Sequence, residues 1–198
     1  MKTHTIKQIS LVALFVLGMT GLQQVLAQTN YSSNTTQTTV KGTSTLHDWE
    51  MKSTNGQSKA TFTVADGKVT DLTALTFTVV AESLKSDKNG LDKNAYKALD
   101  TDKHKNITFT LTNATVTQTG ANTFKISATG NLQIAGSSKR TTITADGQYN
   151  ATDKSITVRG NTTFNMSAYG VKPPVLMMGT IKTGDEITIS YQVKLAAN

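Results

Sequence analysis

The sequence has no cysteine, and it has only two prolines and three histidines among its 198 residues. Without cysteine there can be no disulfide, no Cys-His catalytic pair and no lipid-modified cysteine. The two histidines beyond the N-terminal segment, His47 and His104, stand far apart, and no Gly-x-Ser-x-Gly element accompanies them. We therefore expect neither catalysis nor a histidine-rich metal site, and the fold must depend on its hydrophobic core.

A hydrophobic run long enough to cross a membrane is also lacking. The longest apolar stretch, Ile9 to Leu22, follows Lys2 and Lys7 and precedes Val25-Leu26-Ala27. It falls short of the ~20 residues of a spanning helix and has the layout of a secretory signal. We expect residues 1–27 to be a signal peptide cleaved after Ala27 and residues 28–198 to be one domain. The product would be periplasmic or secreted, with no permanent membrane anchor.

Basic residues are in moderate excess, with 20 Lys and Arg against 13 Asp and Glu. Lys2 and Lys7 lie in the predicted signal, which leaves 18 basic residues against the same 13 acidic residues and a net charge of +5. The lysines are scattered among aspartates, and Arg140 and Arg159 are the only arginines. This pattern argues against nucleic-acid binding and leaves a weak attraction to an anionic membrane surface open.

Threonine alternates with apolar residues along much of the chain, as in Leu75-Thr76-Phe77-Thr78-Val79. A period of two predicts strands with one buried and one solvated face. About eight or nine strands are predicted, around residues 38–46, 47–53, 58–64, 75–79, 107–111, 123–135, 140–149, 155–166 and 187–193. The fold class is therefore all-β, and a single antiparallel barrel is favoured over a sandwich, which the pattern does not exclude.

Glycines punctuate the strands in two ways. Four pairs predict turns between or near strand ends: Asp66-Gly67, Thr119-Gly120, Asp146-Gly147 and Thr183-Gly184. Gly130 and Gly160 lie in the middle of long strands, where a missing side chain is expected to let the strand bend.

Two segments interrupt the strand pattern. In residues 84–106, Asp92 is expected to cap a short helix with Ala95, Tyr96 and Leu99 on one side. In residues 168–180, Pro173-Pro174 excludes a central strand and is followed by Val175-Leu176-Met177-Met178. We expect residues 169–178 to close one end of the barrel, either as a lid on a bound molecule or as a cap on the core.

Short motifs spread over nearly the whole domain resemble the YceI-like family. They are Gly42-Thr43-Ser44-Thr45-Leu46-His47-Asp48-Trp49, Ser83-Leu84-Lys85-Ser86, Lys97-Ala98-Leu99-Asp100, Asn106-Ile107-Thr108-Phe109, Gly130-Asn131-Leu132, Gly136, Thr141-Thr142, Tyr169-Gly170-Val171-Lys172-Pro173-Pro174 and Gly179. The resemblance implies a lipocalin-like barrel that binds polyisoprenoid or other long amphiphilic lipids. The chain departs from similar proteins at Ala168, where an acidic residue often stands before the aromatic-Gly pair.

The apolar faces of the predicted elements define the candidate site. Trp49 is either a cavity wall or ordinary core, and His47 is interpreted as a strand-end residue. Thr76, Thr108, Thr110 and Thr188 should point outward, and Ile143 and Ile187 inward. The predicted ligand-binding residues are Trp49, Phe62, Leu75, Phe77, Val79, Tyr96, Leu99, Ile107, Phe109, Leu111, Ile126, Leu132, Phe164, Met166, Tyr169, Leu176, Met177, Ile189 and Tyr191.

Three functions are compatible with these features. The first is an extracytoplasmic carrier for an isoprenoid quinone, polyprenyl phosphate or fatty acid derivative, with no other cofactor. The alternative is a secreted structural or adhesive β-domain with a filled core, and the third is an enzyme acting on a lipid, which the histidine inventory disfavours. Six lysines between Lys85 and Lys105 could meet a pyrophosphate, but interspersed aspartates favour a solvated surface.

Overall fold

The computed structural model describes residues 28–198. The predicted signal peptide and its cleavage site lie outside these residues. Within them the chain forms eleven strands: β1 Gln28–Ser33, β2 Thr36–Ser44, β3 Trp49–Ser53, β4 Gly56–Ala65, β5 Lys68–Val80, β6 Asn106–Gln118, β7 Thr123–Ile134, β8 Ser137–Asn150, β9 Ser155–Asn165, β10 Val175–Leu176 and β11 Ile181–Ala197. One helix, α1 (Asn89–Leu99), and three 3-10 turns, Ala81–Ser83, Met166–Tyr169 and Met177–Gly179, complete the described chain.

Eight strands close into a ring, in the order β1, β4, β5, β6, β7, β8, β9 and β11. The ring closes because β11 pairs back onto β1, with Tyr31 opposite Ala197 and Ser32 opposite Ala196. Farther along β11, β2 takes the position beside it and carries β3 on its outer edge. The prediction of an all-β, single antiparallel barrel of about eight strands with a short helix is confirmed.

The predicted inward and outward faces follow the pleat of the strands. Phe77 on β5 stands opposite Phe109 on β6 inside the barrel, and the next pair, Thr76 and Thr110, is exposed outside. Thr188 also faces outward, where its hydroxyl lies 2.9 Å from that of Thr163 on β9. A strand period of two therefore places threonine on the solvent-exposed face and the larger apolar side chains in the core.

Two of the four predicted turns are wrong. Asp66-Gly67 does connect β4 to β5 with positive φ at both residues, and Thr119-Gly120 lies between β6 and β7. Asp146-Gly147 instead lies inside β8 and pairs with strands on both sides, and the ring of Phe124 occupies the space that a side chain at Gly147 would fill. Thr183-Gly184 lies inside β11, next to a register shift against β2. The turn between β7 and β8 is formed by Ala135-Gly136, with φ of 48° and 79°.

Aromatic rings occupy the space above the two mid-strand glycines. The Phe109 ring lies where a side chain at Gly130 would project, and the Tyr191 phenol does the same at Gly160. Neither glycine has a positive φ. Both positions lack a side chain because a large ring and a neighbouring backbone carbonyl, that of Thr110 or of Thr144, occupy the space. The expected bend at these glycines stays a prediction.

Helix α1 covers one end of the barrel, and Asp92 is not its N-terminal cap. Lys88 holds the cap position, and Asp92 lies buried in the first turn. Its carboxylate accepts hydrogen bonds from the backbone N–H of Ser86 at 2.8 Å and from the Ser86 hydroxyl at 2.7 Å. Asp92 therefore fixes the loop that leads into the helix, and the helix ends at Asp100 in a left-handed conformation, with φ of 50°.

Candidate functional site

The barrel encloses an upper cavity at the end covered by α1 and by residues 166–180, which we call the mouth segment. Its volume is about 110 Å³. Eight of the predicted binding residues line it: Trp49, Leu99, Ile107, Phe164, Met166, Tyr169, Leu176 and Ile189. Asn94 and Thr183 are the only polar residues of the lining apart from Tyr169 and Trp49, so the walls are almost wholly hydrocarbon.

A lower cavity of about 80 Å³ lies deeper in the barrel. Six further predicted residues line it: Phe62, Leu75, Phe77, Phe109, Ile126 and Tyr191. Both cavities are well above the about 10–15 Å³ that a cavity needs to hold one water molecule. This space is narrow and suits a single slender chain.

The two cavities follow each other along the same strands. On β6 the lining passes from Ile107 above to Phe109 below, and on β11 it passes from Ile189 to Tyr191. The rings that cover Gly130 and Gly160 are those of Phe109 and Tyr191. These two rings therefore lie where the upper cavity meets the lower cavity. A ligand that fills both cavities has to pass these two rings.

Five predicted residues do not line either cavity. Val79 is buried against Gly56, and Leu111 and Leu132 pack into the surrounding core. The hydroxyl of Tyr96 donates hydrogen bonds to the carbonyl oxygens of Leu84 at 2.7 Å and Glu82 at 3.0 Å, which turns it toward the loop before α1. Met177 is 73% exposed.

Several lining residues were not predicted from the sequence. Val40 on β2 and Met51 on β3 are cross-strand partners that face the upper cavity. Met51 stands two residues after Trp49, so the strand period places it on the same face. On α1, Leu91, Ala95 and Ala98 face the cavity at the spacing of one helical side. Of the expected helix side, Ala95 and Leu99 line the cavity and Tyr96 does not.

The barrel interior also contains a few polar groups. The Tyr191 hydroxyl donates to the carbonyl oxygen of Thr144 at 3.2 Å, and burial raises the pKa of Tyr191 to about 12. Thr36 and Ser58 pair in the lower cavity, with their hydroxyl oxygens 3.4 Å apart. Between the levels of the two cavities, the buried Thr38 Oγ1 has no hydrogen-bond partner among the described residues.

The polar residues near the mouth contact one another and the backbone. His47 lies in the exposed loop between β2 and β3, with Nδ1 2.8 Å from the Asp48 carbonyl oxygen and Nε2 3.1 Å from Lys88 Nζ. Across residues 28–198 no group of three or more His, Asp or Glu side chains is arranged to hold a metal ion. The arrangement of this site is suited to binding an apolar molecule.

A carboxylate from β11 fixes the mouth segment. Asp185 accepts hydrogen bonds from the Ser167 hydroxyl and, at 2.8 Å, from the Ser167 backbone N–H. Nearby, the Tyr169 hydroxyl lies 2.9 Å from Thr141 Oγ1, and its ring packs at 5.0 Å against Phe164. Asp185 thus supplies an acidic group next to Ala168, the position where the resemblance leads one to expect an acid in the chain itself.

This contact should depend on pH in a defined direction. The Ser167 hydroxyl and then its N–H hold the pKa of Asp185 below the ordinary value of 3.8. A carboxyl group with a lowered folded-state pKa stabilises the fold above its unfolded pKa, and this contribution disappears as the pH falls through the lowered value. We expect Asp185→Ala to speed hydrogen exchange of the Ser167 amide several-fold at pH 7. The wild type should show the same loosening only below the ordinary value of 3.8.

Glu186→Ala is the matched control for this experiment, because Glu186 is the exposed neighbour of Asp185 on β11. It should leave exchange at Ser167 unchanged. Equal exchange rates in Asp185→Ala and wild type would show that the carboxylate does not hold the segment.

The closed antiparallel ring, its hydrocarbon interior and the helix over its mouth define a lipocalin-like barrel. A family model described as the YceI-like domain matches residues 29–195. The chain belongs to the YceI-like family. No curated protein matches the chain. In the described range, 28–198, none of the helical segments combines the length and the hydrophobicity that a membrane-spanning helix requires.

Solved structures share this fold at low sequence identity. BcnA from Burkholderia cenocepacia has a TM-score of 0.63 at 16% identity, with 81% of this chain and 96% of that chain covered. A polyisoprenoid binding domain from Saccharophagus degradans, implicated in plant cell wall breakdown, has a TM-score of 0.63 at 8% identity, with 87% and 100% covered. The YceI protein of Campylobacter jejuni has a TM-score of 0.53 at 18% identity, with 71% and 81% covered.

Proposed function

We propose that this protein is an extracytoplasmic carrier for a single-chain apolar amphiphile, such as an isoprenoid or fatty acid derivative, held in the barrel interior. The observation that carries the proposal is the pair of apolar cavities stacked along the barrel axis. Ten methylene groups buried at ~0.8 kcal/mol each contribute ~8 kcal/mol before the costs of association. Micromolar binding then requires no extensive set of polar contacts.

The polar groups support an amphiphile that enters with its tail first. Asn94 and Thr183 line the upper cavity, and Lys88 is exposed in the loop before α1. A headgroup at this end would remain near water and near hydrogen-bonding partners, while the tail extends toward Phe62 in the lower cavity. A solved structure of the same fold is described as a polyisoprenoid binding domain, which supports an isoprenoid as the tail of the ligand.

Two measurements test this function. The first is organic extraction of the protein purified from its native host, followed by mass spectrometry for co-purified lipid. The second is titration of delipidated protein with farnesol, a single-chain isoprenoid alcohol, followed by fluorescence of Trp49, which is the only tryptophan and lines the upper cavity. If no lipid is extracted and farnesol leaves the Trp49 emission unchanged, the alternative of a secreted structural β-domain with a filled core is supported.

Export is part of the proposal and rests on the signal pattern of residues 1–27. Cleavage after Ala27 leaves Gln28 as the mature N-terminus. We expect the intact mass of the protein from its native host to correspond to residues 28–198, with or without cyclisation of Gln28. A mass that retains Met1 to Ala27 would contradict export with cleavage.

Leu176 and Met177 allow a direct test of the lid within the mouth segment. Leu176 lines the upper cavity together with Pro174, whereas the adjacent Met177 faces solvent. We expect Leu176→Ser to weaken farnesol binding about tenfold, because the cavity loses an apolar wall. Met177→Ser is the matched control and should bind farnesol as the wild type does. If Leu176→Ser lowers only the melting temperature, these residues cap the core and do not contact the ligand.

A further inference from the structure

Four large apolar side chains project into solvent next to the mouth. Their exposures are 66% for Leu46, 57% for Val175, 73% for Met177 and 108% for Met178. Leu46 lies in the β2–β3 loop, which is tied to the mouth segment because Thr45 Oγ1 donates to the Thr180 carbonyl oxygen at 3.1 Å. We call these four residues the apolar tip. Grouped exposed apolar residues of this kind mark contact surfaces.

The tip contains two consecutive left-handed residues, in a turn where the Thr180 N–H donates to the Met177 carbonyl oxygen at 3.2 Å. Met177 and Met178 both have a left-handed backbone, with φ of 51° and 52°. Bulky residues adopt this conformation at an energetic cost, and it usually accompanies a functional constraint. Here the strained turn presents two methionines to solvent, which suggests that a partner covers them.

Charge around the tip indicates the chemistry of that partner. Lys182 is the cross-strand partner of Val175, Lys172 precedes the prolines, and Lys88 contacts His47 beside Leu46. All three lysines are exposed. Acidic residues also lie at this end: Asp48, Asp87, the exposed Glu186, and Asp185, whose carboxylate keeps its charge while it accepts hydrogen bonds from Ser167. Residues 28–198, which do not include Lys2 and Lys7, carry a net charge of +5.

We infer that the apolar tip docks this end of the barrel on an anionic phospholipid bilayer, with Lys172, Lys182 and Lys88 at the headgroups. Apolar side chains inserted at the acyl boundary and lysines held near anionic lipid are the two terms that bind peripheral proteins to membranes. Leu176 connects the tip to the upper cavity, since it is partly exposed and also lines the wall. Docking would therefore place the cavity entrance against the phase from which an apolar ligand comes.

Methionine suits this surface because its flexible, polarisable side chain adapts to irregular apolar surroundings. Ionic strength should weaken the attachment, because the lysine contribution is screened over about 10 Å at 0.1 M salt. The apolar contribution should persist at high salt. Both terms are measurable without knowledge of the cavity ligand.

The test is flotation of purified residues 28–198, which form the closed barrel, with vesicles of phosphatidylcholine and phosphatidylglycerol. We expect wild-type protein to float with these vesicles and to float less with phosphatidylcholine alone. The double variant Met177→Ser with Met178→Ser should bind roughly 100-fold more weakly through lost apolar insertion. The double variant Lys172→Gln with Lys182→Gln should bind about 30-fold more weakly on anionic vesicles.

Lys59→Gln with Lys68→Gln is the matched charge control, because Lys59 is on the outer side of β4 and Lys68 begins β5 beyond the β4–β5 turn. It should float as the wild type does. Failure of the wild type to bind anionic vesicles, or equal binding by the tip variant, overturns the inference. A dimer that light scattering detects in wild type but not in the tip variant also overturns it. Farnesol binding by Trp49 fluorescence reports on the cavity separately, so the two proposals can fail independently.

Discussion

Replacing Ala95 with Phe is expected to lower the affinity for farnesol about 100-fold, because each displaced methylene forfeits ~0.8 kcal/mol. Ala95 is half-buried on α1 and lines the upper cavity beside Leu84 and Ile187. A benzyl group at this position projects into the space that the ligand would occupy. Fluorescence titration of Trp49 measures the loss, and the melting temperature should change by only a few degrees because the added ring enters a cavity.

The matched control is Lys97→Phe, which introduces the same side chain two residues farther along the same helix, at an exposed position. It should bind farnesol like the wild type. If Ala95→Phe retains wild-type affinity while folded, the upper cavity is not the binding site. If it fails to fold, Ala98→Leu provides a smaller intrusion into the same cavity.

Replacing Phe62 with Ala is expected to reduce the free energy of unfolding by about 3–5 kcal/mol. Phe62 is 1% exposed, and the edge of its ring meets Tyr31 at a centroid distance of 5.6 Å and an interplanar angle of 87°. Tyr31 belongs to β1, the strand that closes the ring against β11. Because 1 kcal/mol shifts the melting temperature of a domain of this size by about 2–4 °C, thermal unfolding should occur about 10 °C lower.

Phe77→Ala is the comparison variant, since Phe77 lines the same lower cavity and is only half-buried. We expect about half the loss of stability for this change, because less hydrocarbon leaves a buried environment. Equal losses for the two variants would contradict a special role of Phe62 at the closure of the ring. Circular dichroism at increasing temperature measures both.

The register of the sheet was predictable from the sequence because a one-residue slip would reverse the two faces of every strand. Thr76 beside Phe77, and Thr110 beside Phe109, assign the outer and inner faces without ambiguity. Fourteen of the nineteen predicted binding residues line a cavity, and the strand period accounts for eleven of them. The other three, Leu99, Tyr169 and Leu176, came from the predicted helix and from the segment expected to close the barrel.

The remaining features depend on contacts between residues distant in sequence. Asp146-Gly147 has the local composition of a turn, but both residues pair with β7 and β9 inside β8. Asp92 has the chemistry of a helix cap, but it is bound to Ser86 before the helix. Tyr96 lies on the helix beside cavity residues, but its hydroxyl is directed to the loop carbonyls of Leu84 and Glu82. Local propensity does not determine which of two satisfactory partners a polar group will take.

The pairing of β1 with β11 has a consequence for the kinetics of folding. The barrel closes only when Tyr31 and Ser32 meet Ala196 and Ala197, which are almost the first and last described residues. Contacts between such distant parts of a chain slow folding, because loop-closure entropy is lost before the contacts form. Until then, the unpaired edges of β1 and β11 remain open to pairing with other chains. A chaperone that binds exposed strand edges during this interval would raise the yield of native protein.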